Sequence, residues 1–261
     1  MTIRCYEWTM SSDYPGSINT VNQMAPSPRH VRATLGGRVV VDTTRAVYLW
    51  EHPNFPQYYI PITDIAADVL VDENHESRLS RGLTRRFGLR VGDVHRPAAA
   101  RLHTEEPYAG LVRFEGDALD AWFEEDEEIF GHPRSPYHRV DALRSSRHVR
   151  VELDGVTLAE SSCPVLLFET GLPTRYYLSR TDLNMAALEH TGTQTLCPYK
   201  GRTSDYWTVR TPAGAYADLA WSYAFPAPAV AAIAGLVAFY NEKVDLYVDG
   251  QALERPDTPF S

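Results

Sequence analysis

Residues 29–65 and 147–183 are two copies of one segment, 118 positions apart and aligned without a gap, with 13 of 37 positions identical. The first copy reads RHVRATLGGRVVVDTTRAVYLWEHPNFPQYYIPITDI and the second RHVRVELDGVTLAESSCPVLLFETGLPTRYYLSRTDL. Identity is not confined to apolar positions. Besides the opening Arg-His-Val-Arg it includes Glu51 with Glu169, Tyr58-Tyr59 with Tyr176-Tyr177, and Asp64 with Asp182. Self-similarity of this length means that one structural unit has been used twice. The chain is therefore read as two modules of roughly 115 to 130 residues, each large enough for its own core.

Within each copy the pattern is that of strands. Alternation in HVRATL, a Gly36-Gly37 turn and RVVVD predict a β-hairpin, and VRVELDGVTLAE repeats it with the turn at Asp154-Gly155. VLLFE and RYYLS read as short strands around a turn. Thr181 or Asp182 is expected to N-cap a short helix through LNMAAL. The second module continues with the strand-like segments TQTLCPY, SDYWTVR and AYADLAWSY, then a Pro-bounded helix in PAVAAIAGLVAF, and VDLYVDG as a closing strand. In the first module DALDAWFEEDEEIFG is expected to be a helix, with Asp117 as N-cap, Leu119, Trp122 and Phe130 on one face and Gly131 as the stop. Its acidic run, Glu124 to Glu128, then reads as a solvated helix face. Residues 1–28 are expected to form an irregular arm that docks at Cys5–Trp8, 29–130 the first module, 131–146 a proline-containing bridge, and 147–261 the second module. The fold class is mainly β (α+β), with antiparallel sheets and a short helix or two per module.

Composition narrows the partners. A formal charge of −9 and a pI near 5.5 oppose non-specific binding to nucleic acid, which requires Lys and Arg against phosphates. There is no run of eighteen apolar residues and no basic start before an apolar stretch, so neither a membrane nor export is expected and the cytoplasm is the default. Three cysteines, Cys5, Cys163 and Cys197, suit reduced thiols better than a disulfide framework. Two modules in one chain are expected to pack on each other as a pseudo-symmetric pair, in place of a homodimer.

FETGLPTRYY, TLCPYKG, AWSY and AIAGLVAFY, in that order, resemble the signature of the domain of unknown function 427 family, also labelled nucleotidyltransferase-like. WFEEDEEIFGHPRSPYHRVD resembles the bridge of its tandem members. The resemblance implies a β-tent fold similar to that of Mss4-like proteins, with antiparallel sheets meeting over a small pocket. Proteins with related folds differ widely in activity, so the fold selects no reaction. Nucleotidyl transfer has little support, because neither a Gly-Lys-Ser/Thr phosphate loop nor an Asp-x-Asp pair is present. Many β-tent proteins hold zinc through two Cys-x-x-Cys pairs, and this chain has none. His132 and His138, six residues apart in a proline-containing loop, fall short of four placed ligands, so no metal or cofactor is expected.

The candidate chemistry centres on Cys197-Pro-Tyr-Lys-Gly201. Pro198 and Gly201 shape a tight loop that can present Cys197, Tyr199 and Lys200 to one pocket. Lys200 beside Cys197 would favour a thiolate nucleophile, and beside Tyr199 a phenolate base; a buried structural Cys with a surface Lys is the plainer reading. Glu169 ends an apolar strand, where a carboxylate is either part of a site or ion-paired, Arg175 being the candidate partner. Tyr176 and Tyr177 should face opposite ways, one ring in the core and the other available, with Trp207, Trp221 and Tyr223 adding rings for core packing or for stacking a flat ligand. His132 and His138 are further candidates for acid–base work from the bridge. The first module has SRGLTRRFG in the approximate place of CPYKG and looks diverged, a scaffold or lid. The expected function is an enzyme acting on a small polar or flat molecule by acid–base or thiol-assisted chemistry. The alternative is a non-catalytic metabolite- or nucleotide-binding module; a purely structural or partner-binding protein would leave the CPYKG loop unexplained.

Overall fold

The computed structural model describes residues 16–258, 260 and 261. The segment Cys5–Trp8 lies outside the described residues. The chain divides into two compact units, Ile18–Ser135 and Pro136–Ser261, the latter joined by residues 16 and 17. Both are built from antiparallel strands, and the longest helical piece among the described residues is the six-residue 3-10 segment Pro228–Ile233.

The N-terminal unit has a seven-stranded sheet in the order Met24–Pro26, Val47–His52, Phe55–Pro61, Leu111–Phe114, Val94–His103, Gly82–Val91, Leu70–Leu79. A four-stranded sheet, Glu127–Ile129, Ala121–Glu124, Val31–Leu35 and Arg38–Thr43, contributes Val31, Ala33 and Leu35 to a core shared with Trp50, Tyr58, Ile60 and Leu89. The C-terminal unit repeats this order with interruptions. Val140–Arg144, Val165–Glu169 and Leu172–Tyr177 form one sheet, and a bridge from Leu178 to Val237 links it to Val237–Phe239, Gly214–Ser222, Asp205–Thr211 and Leu188–Thr191. Its smaller sheet is Gln251–Leu253, Asp245–Val248, Val149–Leu153 and Val156–Ser161. Hence the duplication spans each whole module, well beyond the segment in which identity is visible.

The hairpins form where alternation and turn residues place them. Val149–Leu153 alternates buried and half-buried positions, and Asp154 and Gly155 take φ of 51° and 73° in its turn. Gly36 and Gly37 take 57° and 75° in the other copy, the left-handed pair that a two-residue hairpin requires.

Of the helices expected from the sequence only short 3-10 pieces form, Pro228–Ile233 with a proline at its start and Met185–Ala187, and among the described residues there is no α-helix. DALDAWFEEDEEIFG contains the hairpin Ala121–Glu124 and Glu127–Ile129, with Glu125 at φ 54°, and it matches Asp245–Val248 and Gln251–Leu253 of the second module, where Asp249 has φ 52°. Within the acidic run residues 125–128 are exposed, as a solvated face would be, but Glu124 is buried. Its carboxylate accepts bonds from Arg29 Nη1 (2.5 Å), Arg134 Nε (3.0 Å) and Tyr58 Oη (2.9 Å), partners remote in sequence or in an adjoining loop. PAVAAIAGLVAF turns at Gly235 (φ 72°), and Val237–Phe239 then pairs with Gly214–Ser222, so sheet pairing overrides the helix propensity of the alanines. LNMAAL holds a three-residue 3-10 turn, Met185–Ala187, and the preceding turn Arg180–Asp182 is capped by Ser179 rather than by Thr181 or Asp182.

The segments read as arm and bridge each supply a strand, Met24–Pro26 against Val47–His52 and Val140–Arg144 against Val165–Glu169. Both members of each Tyr pair are buried: Tyr58 is 5% exposed, Tyr59 1%, Tyr176 6% and Tyr177 0%. They do face opposite ways, but both faces of each strand are covered, Tyr176 and Tyr177 belonging to different apolar clusters. Among the described residues no helix is long and apolar enough to cross a membrane.

Candidate functional site

Glu169 is placed by an irregularity in its strand. Leu167 pairs with Arg175, but Glu169 pairs with Leu172, so the register slips between them. Bulges of this kind re-aim a side chain and are frequent beside sites. The matching hairpin of the first module also slips in register, between Leu49 and His52 around Glu51, but with the extra residue on the other strand. On the other side Val140 pairs with Glu169, and Arg139 and Thr170 exchange bonds, Arg139 N to Thr170 Oγ1 at 2.9 Å and Thr170 N to Arg139 O at 3.0 Å. That lattice carries His138 alongside, with Nε2 3.2 Å from Glu169 Oε1.

The CPYKG motif forms a small hairpin. Cys197 pairs with Gly201, leaving Pro198, Tyr199 and Lys200 as its loop, and Gly201 has φ 93°, a conformation that a side chain would strain. The hairpin is held at both ends: Ala227 N donates to Lys200 O (3.0 Å), Thr195 N donates to Thr203 Oγ1 (2.7 Å), and Thr195 Oγ1 bonds Tyr206 Oη (3.0 Å). So anchored, Lys200 Nζ pairs with Glu169 Oε2, and Tyr199 stacks on His138 with ring centres 4.1 Å apart.

The electrostatics of this cluster are mutual. Burial by itself would raise the pKa of Glu169, but the Lys200 charge and hydrogen bonds from His138 and Lys200 hold it well below the usual carboxylate range. Burial would likewise lower that of Lys200, yet Glu169 first, then Cys197 and Tyr177, hold it above the ordinary lysine value. Tyr177 is pushed up to about 12, chiefly by burial and against the Lys200 charge; its Oη accepts a bond from Trp221 Nε1 at 3.2 Å. Cys197 is a free, half-buried thiol close enough to interact with Lys200, Tyr177 and Tyr223. One carboxylate thus orients an imidazole and fixes an ammonium, with a thiol beside that ammonium. Such a set can move a proton through the ring and neutralise negative charge at the lysine.

Glu169, Lys200, Tyr199, Cys197 and His138 of the sequence candidates come together, with the buried rings of Tyr177 and Tyr223 beneath them; Arg175, Tyr176, Trp207, Trp221 and His132 are engaged elsewhere. Arg175 is not the partner of Glu169. It forms a two-pronged buried pair with Glu242, both bonds at 2.6 Å, among the rings of Trp221, Tyr240 and Phe260. Trp207 and Tyr176 pack in the core cluster on the other face, and Trp221 and Tyr223 pack with Tyr177, so these rings are core rather than a stacking surface. His132 belongs to the N-terminal unit, where it stacks on Phe55 at 4.6 Å and its Nδ1 lies 2.8 Å from Pro133 O. Among the described residues no group of three or more His, Cys, Asp or Glu side chains is placed to hold a metal ion.

The first module does have a counterpart of the lysine loop. Ser80 and Arg81 form the turn between Leu70–Leu79 and Gly82–Val91, and Gly82 has φ 97°, so Arg81-Gly82 matches Lys200-Gly201. Arg81 Nη2 donates to Glu51 O (3.4 Å), while Glu51 Oε1 accepts from Tyr59 Oη (2.9 Å) and Arg113 Nε (3.0 Å). The signal lay in the Arg-Gly of SRGLTRRFG, hidden because the surrounding loop differs by one residue between the copies.

Two like β modules, each with a glutamate at a strand irregularity and a cation in the turn facing it, make the chain a tandem of one domain type. A family model described as a domain of unknown function (DUF427) matches residues 23–125 and again 141–250, and the chain belongs to that family. A search of curated proteins finds no match.

Proposed function

We propose that the C-terminal module is an enzyme that binds a small polar molecule at the Lys200 loop and acts on it by proton transfer. The observation that carries this is the buried Glu169 carboxylate, shared between His138 and Lys200. With Nε2 of His138 engaged by Glu169, proton exchange with a substrate falls to Nδ1, the carboxylate acting to orient the ring. Lys200 would meet an anionic or carbonyl oxygen, and Cys197 is the nearby nucleophile if the chemistry is covalent. The half-buried Tyr199, stacked on the imidazole, would form one wall.

The test is a thermal-shift screen of small polar metabolites against wild type, Lys200→Ala and His138→Gln, with turnover of each hit followed by NMR. A substrate should stabilise wild type, lose that effect in Lys200→Ala, and bind His138→Gln without being converted. A ligand that stabilises wild type and Lys200→Ala equally would sink the site. Loss of the shift in Lys200→Ala with no turnover by wild type would leave a binding module instead.

A further inference from the structure

The N-terminal module contains a cavity of ≈ 280 Å³ that includes Glu51, Tyr59, Arg81, His103 and Arg113 in its lining. This is the place that Glu169, Tyr177 and Lys200 occupy in the other module, and its chemistry differs. Arg113 is held between two carboxylates, Nε to Glu51 Oε1 at 3.0 Å and Nη1 to Glu115 Oε2 at 2.5 Å, and Arg101 Nε donates to Glu115 Oε1 at 2.5 Å. Three guanidinium groups against these two carboxylates leave one positive charge in the lining.

That charge resides on Arg81. Its Nε donates to Asn22 Oδ1 at 2.8 Å and one Nη2–H to Glu51 O at 3.4 Å, and among the described residues no carboxylate lies within salt-bridge reach of it. A half-buried guanidinium with spare N–H donors and no counterion is a receptor for a planar oxyanion. A second observation points the same way. His103 is 4% exposed, lines the cavity, and its buried Nδ1 has no hydrogen-bond partner among the described residues. Buried polar atoms in native proteins are normally satisfied, so a ligand atom at Nδ1 would complete the site. Burial depresses the basicity of the ring, partly offset by a bond to the Arg81 backbone, so the site disfavours the imidazolium.

We infer that the N-terminal module is a second binding site, specific for a small organic molecule carrying one carboxylate group, with Arg81 as its counterion and His103 bonding a polar atom of the ligand. The site is independent of the reaction proposed for the C-terminal module, and the first module is more than a scaffold. The single surplus charge favours a monoanion over a phosphate dianion, and the volume suits a molecule of modest size.

The full chain is titrated with a panel of aliphatic and aromatic monocarboxylates, with inorganic phosphate and with chloride at matched ionic strength. Thermal midpoint and the Nε–H resonance of Arg81 are followed in wild type, Arg81→Gln and Lys200→Ala. At least one monocarboxylate should raise the midpoint and shift the Arg81 resonance. Its binding should weaken by about tenfold or more in Arg81→Gln, the loss of one charge-assisted contact, and be kept in Lys200→Ala. Arg81 sits in a two-residue turn, so Arg81→Lys serves as a folded control with intermediate affinity. The proposal is overturned if no carboxylate exceeds chloride, if phosphate binds and carboxylates do not, or if Arg81→Gln binds like wild type. Loss of binding in Lys200→Ala alone would also overturn it, by moving the ligand to the C-terminal module.

Discussion

His138 and Glu169 are joined Nε2 to Oε1 at 3.2 Å, although Glu169 belongs to the duplicated segment and His138 lies outside it. The other oxygen of the same carboxylate holds Lys200, so one side chain of the segment with visible identity gathers two that lie outside that segment.

Glu169→Gln strands the Lys200 charge in a site where both side chains are more than four-fifths buried. Removing one partner of a buried pair costs about 3 kcal/mol. In urea denaturation the midpoint should fall at unchanged slope, and the double variant Glu169→Gln/Lys200→Met should recover much of the loss.

Acid should weaken the fold through the same groups. Glu169 and Glu242 titrate in the folded state below their ordinary value of 4.5, Glu169 despite its burial and because of Lys200 and His138, Glu242 despite its burial and because of Arg175 and Thr258. A depressed folded pKa means stability that is complete above 4.5 and is lost as pH falls through the folded values. Denaturation midpoints measured below that point should fall steeply for wild type and less steeply for Glu169→Gln.

Arg175 should prove structural. Arg175→Ala leaves Glu242 buried and unpaired and is expected to cost about 3 to 5 kcal/mol. Arg175→Met/Glu242→Leu, which replaces both charges by apolar groups, should lie close to wild type in calorimetry. A double variant as unstable as the single one would mean that the loss is of packing against Trp221 and Tyr240.

In the first module Glu124→Gln and Glu128→Gln separate a hairpin from a helix. Glu124 is buried between Arg29 and Arg134, so its replacement should cost about 3 kcal/mol. Glu128 is exposed and should change stability by no more than about 0.5 kcal/mol. Chemical denaturation of the two variants checks this; equal, small effects would contradict the buried pairing of Glu124.

Much of the strand framework was legible because it is written locally. Alternation in Val149–Leu153 and the Asp154-Gly155 turn carry their own geometry, and so does Gly201 behind Lys200. The helical readings failed where local pattern and long-range pairing disagreed: Ala121–Glu124 looks amphipathic at helical spacing, but it pairs with Val31–Leu35, some 90 residues away. The partner of Arg175 is hidden for the same reason, since Glu242 is 67 positions distant, nothing local marks it, and Glu169 is the nearer candidate in sequence.

The sequence by itself determined that the chain is a duplicated antiparallel β protein of one family, and that Glu169 and the Cys197–Lys200 loop were the positions to watch. Turn residues, period-two alternation and repeated identities act over a few positions and survive without a structure. Tertiary structure alone decided which charges meet: His138 and Lys200 on Glu169, Arg113 on Glu51, Arg175 on Glu242. It also decided that Arg81 faces a cavity with no carboxylate of its own among the described residues. Those outcomes depend on which strands lie side by side and on where the register slips, and ion pairing falls off within a few ångströms.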